Sequence, residues 1–303
     1  GYQDSNGKVG PSMANDMMSR LRHPKEDGYG IVMLIFGIMY WIMIIGVFIG
    51  MLFAQPSSFA LLCAYAIGFV VFIFLSAALF HGKIYGNYVL IGPDQFPNLH
   101  QMVQQGAANI GLNPAPTAFI YNSNGLMNAF ARRLFGGRFI FLTSAIIEAE
   151  TDEQIKFVIG HELGHHAAGH LSLAKNILKG PAHFVPFLGT AYSRSRELTC
   201  DRVGAYLSND MQSSRAALQM LACGCRRLNN SLNCDAFEAQ EKLVPPFWGW
   251  VSLIFARYPR TTQRVIAVSA FFAESGSLAY PRPETFHDQT GSTGVSAWTP
   301  SKG

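Results

Sequence analysis

The most specific chemistry in the sequence lies in the run His161-Glu162-Leu163-Gly164-His165. In a helix, residues four apart share a face, so the two imidazoles can bind one metal ion. Glu162 stands beside them, within reach of a water that the metal activates. Zinc lowers the pKa of such a water towards about 7, and a carboxylate can take its proton as the water attacks a carbonyl. The run falls in a suitable element. Thr151-Asp152-Glu153-Gln154 reads as a capping box opening a helix through about His170.

A catalytic zinc uses three protein ligands and keeps one position open. One zinc-protease pattern puts its third His six residues after the second, with a Gly three after it. Leu171 and Ala168 occupy those positions, so the pattern does not apply. His166 and His170, on the same predicted helix, point about 100–140° away from His165 and read as packing or hydrogen-bonded histidines. After Glu162 no Asp or Glu occurs until Glu197, and Asp201 follows four residues later. Both lie on one face of a helix predicted over Ser195 to Leu207. Glu197 is the best third ligand, with His183 as runner-up. Asp201 is suited to hold a ligand imidazole by its other nitrogen. The competing reading is an exposed acidic pair bridging Arg194, Arg196 and Arg202.

The elements around this site sit in an unusual chain. Of 303 residues, 49% are hydrophobic and only 14% charged, against about 25% charged in ordinary soluble domains. No Asp, Glu, Lys or Arg occurs between Asp27 and Lys83, a run of 55 residues. That excludes a simple cytosolic enzyme, and 23 Phe exclude a disordered chain. Ile31 to Ala54 is long enough to span a bilayer core of about 30 Å. Gln55-Pro56-Ser57-Ser58 breaks the run and Phe59 to Phe80 forms a second span, so the two make a hairpin. Four acids precede it, which fits an anchor better than a cleaved signal peptide. Arg20, Arg22 and Lys25 precede the hairpin and Lys83 follows it, so the positive-inside rule puts both ends in the cytoplasm. Neither span carries the acids or bases that an ion pathway needs. The net charge of +4 is thinly spread, with no basic stripe for nucleic acid. The five cysteines form no disulfide framework and read as free thiols.

After Lys83 the pattern is mixed. A helix is predicted over Phe96 to Leu112, and strands over Thr117–Tyr121, Leu126–Ala131 and Arg138–Thr143, with a turn at Asn124-Gly125. Two shorter apolar stretches, Gly180–Tyr192 and Leu243–Ala256, suit core, interfacial or re-entrant segments. The expected fold is α+β. An N-terminal cytoplasmic segment (1–28) precedes a transmembrane helical hairpin (29–82), a mostly helical metallopeptidase domain with a small β-sheet (83–275) and a flexible tail (276–303).

These blocks resemble the integral-membrane zinc endopeptidases that include the heat-shock protease HtpX and the prenyl-protein (CaaX) endopeptidases. The resemblance covers roughly Phe96 to Val265. HExxH matches His161 to His165, and the family's SRxxExxxD block is similar to Ser193 through Asp201. This implies one zinc ion per chain held by His161, His165 and Glu197. The family's NAFA segment matches Asn128-Ala129-Phe130-Ala131, implying an edge strand that pairs with extended substrate. The late block H-P-x-x-x-x-R-I corresponds to Tyr258 through Val265. It implies a substrate-side place for Arg264. Tyr258 stands where the family has His and reads either as a catalytic hydrogen-bond donor to the oxyanion or as a ring packed at a helix entry. The activity implied is peptide-bond hydrolysis by a Glu162-activated water, in quality control of membrane proteins in a bacterial plasma membrane. The spanning-helix count favours the HtpX branch. The partners implied are protein substrates and the lipid bilayer, without nucleic acid. The alternative is a metal-binding but inactive membrane regulator or scaffold, against which the placement of Glu162 speaks.

Overall fold

The computed structural model describes residues 11–275. In chain order the elements are α1 (Pro11–Leu21), α2 (Pro24–Ala54), α3 (Pro56–Asn87), β1 (Val89–Ile91), α4 (Pro97–Asn109), β2 (Thr117–Tyr121), β3 (Ala129–Leu134), β4 (Gly137–Thr143), α5 (Ser144–Ala149) and α6 (Asp152–Ala167). Then come α7 (Leu173–Lys179), a 3-10 turn (Gly180–Phe184), α8 (Leu188–Ser208), α9 (Met211–Cys223), α10 (Arg226–Asn229), α11 (Cys234–Ala239), α12 (Pro246–Phe255) and α13 (Thr261–Ser275). The chain is mostly helical with one small sheet. The tail expected over 276–303 lies outside the described residues.

α2 and α3 are long and apolar enough to cross a membrane, and only 11% and 0% of their most apolar windows are buried. A core helix of a soluble protein would be mostly covered, so the pair fits a transmembrane hairpin. Its tip is closed by Phe48 against Phe59. The ends of the hairpin, by contrast, are built into the rest of the molecule. Met17, Met18 and Leu21 of α1 belong to the main core cluster. Gly37 of α2 lies against the backbone of Leu178, and Trp41 Nε1 donates to the Ile177 carbonyl at 2.9 Å, so α7 rides alongside the first half of α2. At the other end, Phe80 and Ile84 of α3 join Phe119, Phe139 and Phe141 in a second cluster.

The sheet runs β1-β2-β4-β3, with β2 and β4 parallel and the outer pairs antiparallel. β4 is central and reads as a continuous apolar run because both its faces are covered. Phe139 and Phe141 point into the α3-side cluster, and Ile140 and Leu142 into the main core. β3 is therefore an edge strand. It begins three residues later than the sequence predicts, and the three-residue β1 carries too little pattern to be foreseen.

The capping box at α6 forms in full: Thr151 Oγ1 accepts from the Gln154 N–H, and Gln154 Oε1 from the Thr151 N–H at 2.8 Å. α6 packs across α8 at close range because Gly204 has no side chain. A Cβ there would stand 2.7 Å from the Phe157 carbonyl oxygen. α6 ends at Ala167, short of the expected His170. Gly169 then adopts φ +76°, a left-handed conformation that glycine takes without strain. That reversal turns His170 back onto His165 rather than leaving it on the far face of a longer helix. The Gly180–Tyr192 stretch proves to be the 3-10 turn and the start of α8, and Leu243–Ala256 contains α12.

Candidate metal centre

The α6–α8 crossing brings together side chains separated by more than thirty residues. His161 Nε2 lies 3.3 Å from Glu197 Oε2, and His165 Nε2 lies 3.8 Å from Glu197 Oε1. Ligands at about 2.0–2.1 Å from a tetrahedral ion stand about 3.4 Å apart, so these three donors converge at a spacing that suits one zinc-sized ion. The donor chemistry, two imidazoles and a carboxylate, suits it as well.

Each imidazole is held by its other nitrogen. His161 Nδ1 is 2.9 Å from Asp201 Oδ1. Asp201 is itself clamped by Arg264, with Nη2 at 2.6 Å from Oδ1 and Nε at 2.8 Å from Oδ2. His165 Nδ1 is 3.1 Å from His170 Nδ1. Cys200 also places its sulfur within 4.8 Å of ligand atoms of His161 and His165. That sulfur lies 3.5 Å from His170 Nδ1, beside the nitrogen that His165 turns away from Glu197. Burial, reinforced by Glu197 and Glu162, pushes the Cys200 thiol well up, which keeps it protonated and a poor ligand.

The electrostatics divide the groups by task. Burial pushes Glu162 up to about 7, an increase tempered by the His161 and Arg264 charges and by a hydrogen bond from the Ala131 backbone N–H. Burial would raise Asp201 too, but the Arg264 guanidinium holds it down at about 2. Burial would lower His161, yet its hydrogen bonds to Asp201 and Glu197 carry it up to about 10. His165 has no carboxylate on Nδ1. Burial and the neighbouring His161 charge drive it well below the ordinary histidine range.

A cleft of about 550 Å³ opens over these groups. Asn128, Ala129, Phe130 and Ala131 form one wall, and Tyr258 and Arg264 reach it from the other side. Ala131 turns its N–H away from β4 towards Glu162, so the outer edge of β3 faces the cleft. Arg264 lines the cleft, but its guanidinium is committed to Asp201. Tyr258 is 63% exposed and stands near enough to Glu197 to feel its charge. His183 is elsewhere, packed against Gly189 in a neighbouring cavity. Glu197 and Asp201 are buried, and the three arginines of α8 bond elsewhere. Arg194 donates to the carbonyls of Leu253 and Ala256, Arg196 to that of His170, and Arg202 pairs with Glu274. An exposed acidic pair bridging these arginines is not what the chain builds.

Residues 93–182 match the sequence model of Peptidase family M48. That stretch is similar to the M48 peptidases. The matched stretch includes His161 to His165 and ends before Glu197. Among curated relatives, the plastoglobule-localized metallopeptidase 48 of Arabidopsis thaliana chloroplasts is 31% identical over 172 residues, 52% of this chain and 49% of the relative. A protease HtpX homolog of Pyrobaculum aerophilum is 28% identical over 38% of this chain and 40% of its own length. Another, from Methylibium petroleiphilum, is 25% identical over 71% of this chain and 88% of its own. The chain thus spans about half the length or less of the first two. Among solved structures, that of Saccharomyces mikatae Ste24p superposes with a TM-score of 0.47 at 16% identity, over 80% of this chain and 66% of that one. A relative named a metallopeptidase implies a metal, and the His161–His165–Glu197 cluster offers donors for one.

Proposed function

We propose that the protein is a membrane-anchored zinc endopeptidase whose ligands are His161, His165 and Glu197 and whose general base is Glu162. The observation that carries the reading is the convergence of two imidazole Nε2 atoms and the Glu197 carboxylate beside a buried carboxyl raised to about 7. Zinc, when bound, supplies the Lewis acidity that polarises a scissile carbonyl and makes a water acidic. Glu162 is poised near neutrality, where a base that must accept and then return a proton works best. It takes the proton of the attacking water and delivers it to the leaving amine. β3 supports an extended substrate by strand pairing along its free edge, which selects for backbone rather than sequence. Tyr258, at the open side, is placed to donate its phenol proton to the oxygen that gains charge. Arg264 acts on Asp201, and through it on the orientation of His161.

The reading places the anchored ends and the cleft on the cytoplasmic side, as the Arg20, Arg22, Lys25 and Lys83 flanks suggest. Trp248, Trp250 and Phe247 of α12 are exposed apolar groups of the kind that sit at a membrane interface. The hairpin and these groups support membrane proteins as substrates, in a quality-control role at a bacterial plasma membrane. The test compares purified wild type with Glu162→Gln for bound zinc and for cleavage of casein or of itself. Zinc in both with proteolysis in the wild type alone is the expected result. Equal proteolysis in both removes Glu162 from the mechanism, and zinc in both with proteolysis in neither would make the protein a metal-binding regulator.

A further inference from the structure

Glu26 lies in the first turn of α2, at the root of the membrane anchor, and is 1% exposed. A carboxylate so deeply covered needs a partner. Its Oε1 is 3.0 Å from His170 Nε2 and is also contacted by Arg22, one turn earlier. The segment is pinned on both sides: the His23 N–H donates to the buried Thr199 Oγ1 at 2.9 Å, and Arg22 Nη2 to the Ala168 carbonyl at 3.2 Å. His170 is pinned in turn, its carbonyl accepting from Arg196 and Asn176.

The hydrogens along this line follow by elimination. A carboxylate held by Arg22 only accepts, so His170 Nε2 carries the hydrogen. A neutral His170 then has a bare Nδ1, which can only accept, and it faces the Cys200 thiol at 3.5 Å and His165 Nδ1 at 3.1 Å. Two bare nitrogens at that distance would repel, so His165 Nδ1 carries a hydrogen and donates. His165 is left with a lone pair on Nε2, the atom that faces Glu197. We propose that Glu26 is a positioning residue for the metal centre: acting through His170, it fixes His165 in the tautomer that presents Nε2 to the metal. The first turn of the anchor thereby completes a site whose ligands all lie more than 130 residues further along the chain. Residues 93–182, the segment shared with the family, do not contain Glu26.

The inference rests on the metal reading above, and its test separates the two. The full chain, solubilised in detergent, is loaded with Co(II), and the visible spectrum and the affinity against a chelator are read alongside peptidase activity. Glu26→Ala is expected to weaken the metal about 10- to 100-fold, the range for a group that orients a ligand imidazole, and to shift the Co(II) absorption. Glu26→Gln, which keeps an oxygen for His170 Nε2–H, recovers most of both. Asp16→Asn, an exposed acid on α1, leaves both unchanged. His170→Ala should match Glu26→Ala, and the double variant should lose no more than either alone. It also decides the matter if Glu26→Ala does not fold. Wild-type affinity and spectrum in Glu26→Ala or in His170→Ala, or fully additive losses in the double variant, would overturn the relay. A wild-type protein that binds no metal would instead overturn the site reading beneath it.

Discussion

His161 and His165 are the same side chain, one helical turn apart on α6, yet they are held from opposite parts of the molecule. His161 is backed by Asp201 of α8 and Arg264 of α13, a charged pair with Asp201 only 1% exposed. His165 is backed by a neutral imidazole, His170, and the charge behind it comes from the root of the anchor. The α8–α13 side is a direct carboxylate–imidazole contact and the anchor side an indirect one. The difference shows in the two rings. The metal-free protein keeps a proton on His161, held up to about 10, whereas His165 is driven below the ordinary range.

Glu197 is the point where the two sides meet, so removing it should have the largest effect. Glu197→Ala is expected to abolish stoichiometric zinc and reduce activity by about a thousandfold or more, since metal and base act as one unit. Metal analysis after dialysis checks it. Unchanged stoichiometry would mean that another group, such as Cys200, supplies the third donor.

Next comes the stronger of the two supports. Asp201→Asn is expected to weaken zinc about 10- to 100-fold. It should also lower stability by several kcal/mol, because it leaves the buried Arg264 guanidinium without its counter-charge. On the anchor side Arg22 is 24% exposed and would find water if Glu26 lost its charge. Removing the Glu26 side chain should therefore weaken the metal while costing less in melting temperature than Asp201→Asn. Comparing Tm with zinc affinity for Asp201→Asn and Glu26→Ala reads this contrast directly. Equal melting losses in both would erase it.

A pH experiment sharpens the same comparison without a mutation. His161 is raised in the folded, metal-free protein, from an ordinary value of 6.5 to about 10. It therefore stabilises that state fully below about pH 6.5, and the contribution disappears as pH rises through about 10. Zinc needs a neutral imidazole and must displace that proton, while His165 has none to lose. At pH 8, where Glu162 is ionised, binding should release one proton from His161 and up to one more from a zinc-bound water whose pKa falls towards about 7. Apparent affinity should rise by about tenfold to a hundredfold per pH unit between pH 8 and 9. Calorimetry in two buffers of different ionisation enthalpy counts the protons. More than two released protons would show that His165 is charged as well and that the two sides do not differ in this way.

The legible parts of the molecule are those whose signal is local. His161 with His165, and Glu197 with Asp201, each share a helix face through a four-residue spacing. Thr151 and Gln154 announce the start of α6, and the charge gap announces the hairpin. What connects these pieces was not legible. Arg264 reads from its motif as a substrate-side residue, and only the packing of α13 on α8 shows it spent on Asp201. Glu26 gives no sign at all, because its partner lies 144 residues away. A helical period puts His170 on the far side of α6, because it cannot display the backbone reversal at Gly169. The segment before the hairpin likewise reads as a separate piece, although Met17, Met18 and Leu21 are core residues. Long-range pairing of this kind leaves no periodicity for a sequence to display.

Tyr258 stands outside both supports, and it should have the smallest effect. Its ring lines the cleft that the ligand imidazoles also line. Removing a buried oxyanion donor costs about 10²–10³ in kcat, but this phenol is 63% exposed and shares its task with water. Tyr258→Phe is therefore expected to lower kcat about three- to tenfold, with KM, zinc affinity and proton release unchanged. Steady-state kinetics on a peptide substrate, run beside the calorimetry, would show it. Full activity in Tyr258→Phe would leave the ring only a packing role, and a change in zinc affinity would mean that it belongs with the groups that hold the histidines.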